Sequence, residues 1–511
     1  MPANSIHNDL RKVLPHYEII SDCVVGESQI KYRKDKYLPR PNASDVSPQN
    51  QARYAAYLIR AVFYNVTKRT LGGLVGQVFS REPIIEVPKA LDRVIEDATG
   101  LGVGFQQLAK HATGHVVSKG RSGVHIDYPN TGGTVTRAEL ISGDIRPLFT
   151  VYKPEQIINW RWIKRGGRNV LTLVVLAGEY VRSDDGFVET VGAEYKVLRL
   201  DASNEYTITT YRDDKIMVQV GETVKPTDPA GKPFNEIPFS FIGSETNGPD
   251  IDPAPLYDLA ILNVAHYRNS ADYEEACYIM GQPTAWFSGL SEQWVKEILK
   301  GEIQLGSRAA IPLPAGALAG LLQPTPNTMP FEAMKQKESQ MVALGAKLVE
   351  AAAVQRTATE ASIDQSYETS TLSASADNVS DAMTFALQWA ARFSGEDETK
   401  IRFELNTEFD LITMSANERA SLIAEWQANA ITFAEMRANL RRAGIAMIAD
   451  DEALKTIVKE ATERAALAVK LAPTPAPGGS DPNPNDPKAK PKPNGTKPNQ
   501  PAPAGNGGGA Q

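Results

Sequence analysis

Two long helix-forming runs constrain this chain more than any other feature. The first, PAPLYDLAILNVAHYRNSADYEEACYIM at about 253 to 280, has Asp252 placed to cap it and Pro253 suited to its first turn. At 1.5 Å per residue it spans roughly 40 Å. The second run, about 329 to 354, follows an interruption at 281–327. That interruption reads as a strand, a short helix at 291–300 and further short strands punctuated by Gly and Pro. Trp286, Phe287, Trp294, Ile298 and Leu299 are its expected small core.

After the second run, GAKLVEAAAVQRTATEASIDQS at 345–366 passes from strong helix formers into small hydroxyl residues. A third helical pattern follows, in which Leu372, Ala376, Val379, Met383, Ala386, Ala390 and Phe393 recur at three and four spacing as one apolar stripe. A monomer is expected to leave that stripe wet, so another copy should cover it. The strand-like KIRFELNTEF ends the helix.

Upstream, residues from about 48 to 120 carry apolar side chains at helical spacing, with Tyr54, Tyr57 and Tyr64 on or near one face as a packing stripe. Between about 122 and 243 the character changes to short β-rich runs such as GVHIDY, NVLTLVVLAGEYV and EYTITTYR, separated by Gly, Asp and Asn turns. One antiparallel sheet of hairpins is expected there. Downstream, Ser415 with Glu418 and Thr432 with Glu435 form capping boxes for short helices, and a final amphipathic helix is expected at about 451 to 470. Residues 471–511 hold eleven prolines and no aromatic residue. They offer too little apolar surface to offset the entropy of ordering, so this tail reads as disordered. The whole is an α+β fold of several domains.

Acidic residues outnumber basic ones, 61 to 54, for a net charge of -7. Wrapping a nucleic acid backbone through basic contacts is therefore not the main activity. Cys23 and Cys277 lie far apart and suggest neither a disulfide framework nor a cysteine metal site, which fits a reducing cytoplasm. No apolar run approaches the roughly 20 residues of a membrane span.

The search for chemistry yields no catalytic residues, no metal site and no cofactor. There is no phosphate-cradling loop, since Gly231-Lys232 is followed by Pro233. His111 and His115 have the spacing of two ligands on a helix but lack the glutamate of a metalloprotease motif. The pairs Asp184-Asp185, Asp213-Asp214 and Asp450-Asp451 sit in turns or at a helix start, where Asp is favoured for backbone reasons. Trp160, Trp162, Lys164, Arg165 and Arg168 interleave aromatic and basic residues and read as a half-buried strand running into a solvated turn, with base stacking the alternative.

The order of these parts resembles tailed-bacteriophage portal proteins. The residues carrying the resemblance are NEIPFSFIGSETNGPDIDPAPLYDLAILNVAHYRNSADYE, similar to the family's strand, polar turn and helix into the central stem. The N-terminal KYRKDKYLPRPNASD and RAVFYNVTKRTLGGLVGQVFSREPIIEVP look like a group of phage portals often left as an uncharacterised family.

The resemblance implies a mixed α/β wing at 1–250, stem helices at 251–280 and 328–354, and a small α/β clip at 281–327. It further implies a tunnel loop at 355–368, a long wing helix and strand at 369–414, and a helical crown at 415–470. In it, Gln355, Arg356, Thr357, Thr359, Ser362 and Gln365 would face DNA, while Glu292, Lys296, Glu297 and Lys300 on the clip would face the packaging motor. The implied protein is not an enzyme. It is a twelve-subunit ring at a capsid vertex of the virion, assembled in the host cytoplasm. Its implied partners are other copies of itself, the terminase large subunit, head-tail adaptor proteins, and capsid and scaffolding proteins. Double-stranded DNA would pass through without sequence specificity, and no membrane is involved. Another non-enzymatic virion protein, a head-tail adaptor or capsid subunit, is the alternative, and a DNA-processing enzyme would need a nucleophile or carboxylate cluster that the sequence lacks.

Overall fold

The computed structural model describes residues 2–127, 146–213, 216–228, 231–281, 284–298, 312–322, 328–348, 370–407, 409, 416–428, 430–442, 445–446 and 450–471. The chain forms two compact units, Met1–Leu411 and Ile412–Gln511.

The first unit opens with helices α1 (Asn8–Val25), α2 (Glu27–Tyr32), α3 (Pro48–Arg60) and α4 (Val66–Val78). Strand β1 (Ile84–Glu86) and helices α5 (Asp92–Glu96) and α6 (Phe105–Lys119) follow. The β-rich part comprises β2 (Arg121–Asp127), β3 (Leu148–Tyr152), β4 (Ile157–Arg165), β5 (Arg168–Asp184), β6 (Glu189–Leu200), β7 (Tyr206–Asp213), β8 (Met217–Val224) and β9 (Phe239–Gly243). Then come α7 (Tyr257–Gly281), β10 (Thr284–Ser288), α8 (Glu292–Glu297), β11 (Leu318–Leu322), α9 (Met329–Lys347), α10 (Thr371–Ser394) and β12 (Arg402–Glu404).

The expected single sheet is two. Strands β4 to β8 form an antiparallel meander in sequence order, whereas β2 pairs with β3 and β9 in a separate sheet. The reason is burial: β2 is buried almost throughout, beneath α6 and α10, and a strand covered on both sides cannot join a meander with one open face. A further pair, β1 with β12, joins the N-terminal helical region to the strand after α10.

The apolar stripe of α10 also departs from expectation. Leu372, Ala376, Val379, Met383, Ala386, Ala390 and Phe393 are all buried within this unit, against α6 and the β2 sheet, rather than awaiting another copy. Ser370 caps the helix by accepting from Ser373 N–H, and Gly395 ends it in the left-handed region. Phe105 anchors the same core edge-to-face with Phe149 at 5.3 Å and Phe403 at 5.4 Å. Two further cores pack α1 onto the meander and α1 to α3 onto α7.

Helix α7 starts at Tyr257, later than the sequence suggests, because Asp252 is used elsewhere. Its Oδ2 accepts from the N–H groups of Glu245 and Thr246 at 2.8 and 3.0 Å, fixing the turn after β9. That turn is so tight that a Cβ on Gly243 would lie 2.2 Å from the Asp252 carboxylate. Gly120, which ends α6 with φ 73°, is equally confined: its Cβ would lie 2.3 Å from Pro253 O.

The second unit, taken by itself, shows helices α11 (Ala416–Gln427), α12 (Phe433–Arg442) and α13 (Asp450–Leu471). Thr432 and Glu435 form the expected capping box, with Thr432 N–H donating to Glu435 at 2.7 Å and Glu435 N–H to Thr432 Oγ1 at 3.2 Å. Ser415 and the tail from 472 lie outside the described residues.

Candidate functional site

Helices α7 and α9 form an antiparallel pair, because His266 meets Glu338 at 3.3 Å while Tyr273 meets the Phe331 ring at 5.8 Å, so one number rises as the other falls. The base of α7 is locked to the body by polar groups from the N-terminal helices. Asn263 accepts from Thr67 N–H and Oγ1 at 3.1 and 2.9 Å and donates to Tyr64 O at 2.8 Å. Asn263 is fully buried, so these bonds satisfy a side-chain amide that water cannot reach. Further along, Tyr57 donates to Asp272 at 2.6 Å, and Arg60 pairs with Glu275 while its guanidinium lies 4.2 Å from the Tyr278 ring. Burial and the Asp272 acceptor push the Tyr57 phenol well above its usual pKa. The tyrosine stripe of α3 is thus a packing and anchoring device.

Beyond this collar the pair changes character. Tyr278, Ile279, Met329 and Phe331 are exposed, and so are Leu318 and Leu321 on the hairpin β10–β11 that the pair carries. Among the described residues the expected small core of the insertion is not enclosed: Trp286 and Ile298 are exposed, Phe287 and Trp294 are half-buried, and Leu299 lies outside the described residues. Its described part, a two-stranded hairpin with one six-residue helix, has too little surface to enclose four large side chains. Trp286 instead lies across Gly320, its cross-strand partner, where a Cβ would approach its ring nitrogen to 2.8 Å.

Of the residues expected to face a motor, Glu292, Lys296 and Glu297 are exposed on α8, Glu292 and Lys296 being 3.7 Å apart; Lys300 lies outside the described residues. So do Gln355, Arg356, Thr357, Thr359, Ser362 and Gln365. The residues flanking that segment are nonetheless joined, since Leu372 N–H donates to Leu348 O at 3.1 Å. The chain therefore leaves α9 and enters α10 at one place.

Other sequence candidates resolve as structural. Trp160 is buried with the Arg121 guanidinium 4.6 Å from its ring and 4.2 Å from Phe241, while Lys164, Arg165 and Arg168 are exposed. Asp184 and Asp185 cap their own turn by accepting from Gly186, Phe187 and Val188 N–H. Burial lowers the His115 pKa to about 4, and among the described residues no group of three or more His, Cys, Asp or Glu could hold a metal. No described helix is long and apolar enough to cross a membrane. Sequence reasoning missed Asn263, Asp272 and Glu275, whose partners are remote in sequence; an Asn inside the apolar stretch LAILNVA of α7 was the one available signal.

A family model described as Domain of unknown function (DUF4055) matches residues 255–394. Its limits run from just before α7 to the last residue of α10, so it covers the helical pair, the hairpin with α8 and the long buried helix. None of the curated proteins matches the chain. Among solved structures, the chain is similar to one from the neck of an empty GTA particle computed with C6 symmetry. The identity is 14% and the TM-score 0.37, over 75% of this chain and 92% of the other. It is likewise similar to one from the neck of a native GTA particle computed with C12 symmetry, at 14% identity and TM-score 0.37, over 78% and 96% of the two chains.

Proposed function

We propose that this chain is a portal-type subunit, a non-enzymatic virion protein that closes into a ring around a channel for DNA packaging and ejection. The observation that supports this reading best is the antiparallel pair α7 and α9, clamped to the body at Asn263, Asp272 and Glu275 and apolar on its outward half. Rigid helices that expose such surface are completed by further copies, and head-to-tail contacts between copies close into rings. The hairpin β10–β11 points the same way, because two strands alone are marginal in water and gain most from neighbouring copies.

In this reading the outward hairpin and α8 meet the packaging motor, with Glu292, Lys296, Glu297 and Lys300 on the contact. The segment 355–368, whose flanks are held together at Leu348 and Leu372, faces the channel with Gln355, Arg356, Thr357, Thr359, Ser362 and Gln365. Hydroxyl and amide groups exchange hydrogen bonds with passing phosphates without gripping them, and one arginine per subunit adds modest attraction.

The full chain is expected to purify as a closed ring with a central hole, twelve copies in the resemblance, visible by negative stain and native mass measurement. A monodisperse monomer at micromolar concentration overturns the reading. Arg356→Glu rings are expected to form normally yet reduce the DNA packaged per head severalfold, with Arg356→Gln milder; wild-type filling by Arg356→Glu removes this loop from the channel.

A further inference from the structure

At the far end of the meander sheet, the turn between β5 and β6 carries Phe187 at 98% exposure, the most exposed of the large apolar side chains among the described residues. It is held out rather than loose. Val181 pairs with Val191 across the hairpin, Ser183 and Thr190 hydrogen-bond through their hydroxyls, and Asp185 accepts from Phe187 and Val188 N–H at 2.9 and 2.7 Å. Val181, Val188 and Val191 beside it are exposed as well, and Asp184, Asp185 and Glu189 ring the tip with negative charge. A rigid arm ending in an aromatic knob is a poor thing to leave in water.

The same sheet carries a complementary recess near its opposite end. A cavity of about 550 Å³ opens beside β4, walled by Val13, Trp160, Trp162 and Ile251, with Lys12 and Arg161 and also Asp9 and Asp250 on it. The indole N–H of Trp162 is buried there without a hydrogen-bond partner. Past the recess the strand runs into the exposed turn of Lys164, Arg165 and Arg168, next to the exposed Ile163. Strand β5 is 17 residues long, so at about 3.3 Å per residue its two ends lie roughly 50 Å apart. One chain cannot fill its own recess with its own knob.

We propose that Phe187 of one copy seats in the Trp160–Trp162 recess of the next, with Asp184, Asp185 and Glu189 against Arg161, Lys164 and Arg165. The occupant is a second copy because the chain itself supplies both halves of the match, an acidic apolar knob and an apolar socket flanked by the basic turn of Lys164, Arg165 and Arg168. The contact is heterologous, the kind that propagates around a ring. An aromatic anchor in a pocket rimmed by polar groups is the usual place for binding energy to concentrate. This inference rests on the ring reading above and says which surfaces make the ring.

Phe187→Asp alters a side chain that touches little in the free subunit, so it is expected to fold normally while raising the subunit dissociation constant at least tenfold by mass photometry. Asp184→Lys with Glu189→Lys, or Lys164→Glu with Arg165→Glu, should each weaken assembly, and the two reversals combined in one chain should restore it to within about threefold of wild type. In a Cys277→Ser background, Phe187→Cys with Lys12→Cys should give a ladder of disulfide-linked copies on oxidation that neither single cysteine gives. Wild-type rings from every variant, with no ladder, overturn this contact while leaving the ring reading intact; a wild-type monomer overturns both.

Discussion

Trp389→Ala is expected to cost the first unit about 3 to 5 kcal/mol, the range for emptying a large aromatic from a packed interior. Trp389 is 2% exposed on α10, with Phe234 edge-on at 5.4 Å, Phe385 at 6.2 Å and the Arg392 guanidinium 4.8 Å from its ring. Alanine is the best helix former, so the helix itself gains slightly and the whole loss belongs to packing. The cavity would open beside Phe234 and Phe385, on a helix that itself packs against α6, the β2 sheet and β12. The check is the urea midpoint of full-length wild type and variant at equal protein concentration. A loss under about 1 kcal/mol would mean that neighbouring side chains collapse into the space, and that α10 is not the keystone its burial indicates.

Acidification is expected to weaken the same unit through His125. Its ring is fully buried, with Nε2 3.0 Å from the Tyr206 hydroxyl, and its pKa is lowered to about 4, mainly by burial, with Asp127 opposing and Lys196 assisting. The sign follows from proton uptake: between the unfolded value near 6.5 and about 4, the unfolded chain binds a proton that the folded chain refuses. Stability from this group is therefore complete above pH 6.5, falls as pH drops, and stops falling below about 4. At 1.36 kcal/mol per unit the loss amounts to about 2 kcal/mol at pH 5. His115 adds a contribution of the same sign. Urea midpoints at pH 7 and pH 5 for wild type and His125→Gln provide the measurement, since the variant should lose much less between the two. Parallel losses would show that His125 is protonated in the folded protein.

Both experiments probe a core whose pieces were partly legible in the sequence. The spacing from Leu372 to Phe393 gave the helix and its apolar face, and the Thr432 and Glu435 box marked the start of α12. The two long runs around 281–327 are the helices α7 and α9, and the hairpin emerges between them. Legibility ended where a residue had two local uses. Asp252 before Pro253 has the form of a helix cap, yet its carboxylate is taken by the backbone of Glu245 and Thr246, and the helix begins a turn later. The candidate site divides in the same way: exposed charges on α8 could be named from their short helix, whereas the clamp on α7 could not.

What the sequence determined by itself is what residues within about four positions of one another decide: helical periodicity, caps, turn chemistry and strand alternation. Periodicity says that a face will be buried, but not by what. Tertiary structure alone assigned the α10 stripe to the interior of its own subunit, drew β2 out of the meander into a sheet with β9, and brought Thr67 to Asn263 and Tyr57 to Asp272. Each of those pairings joins groups remote in sequence. A buried amide such as Asn263 or phenol such as Tyr57 must find a partner somewhere, and only the folded chain determines which group is within reach.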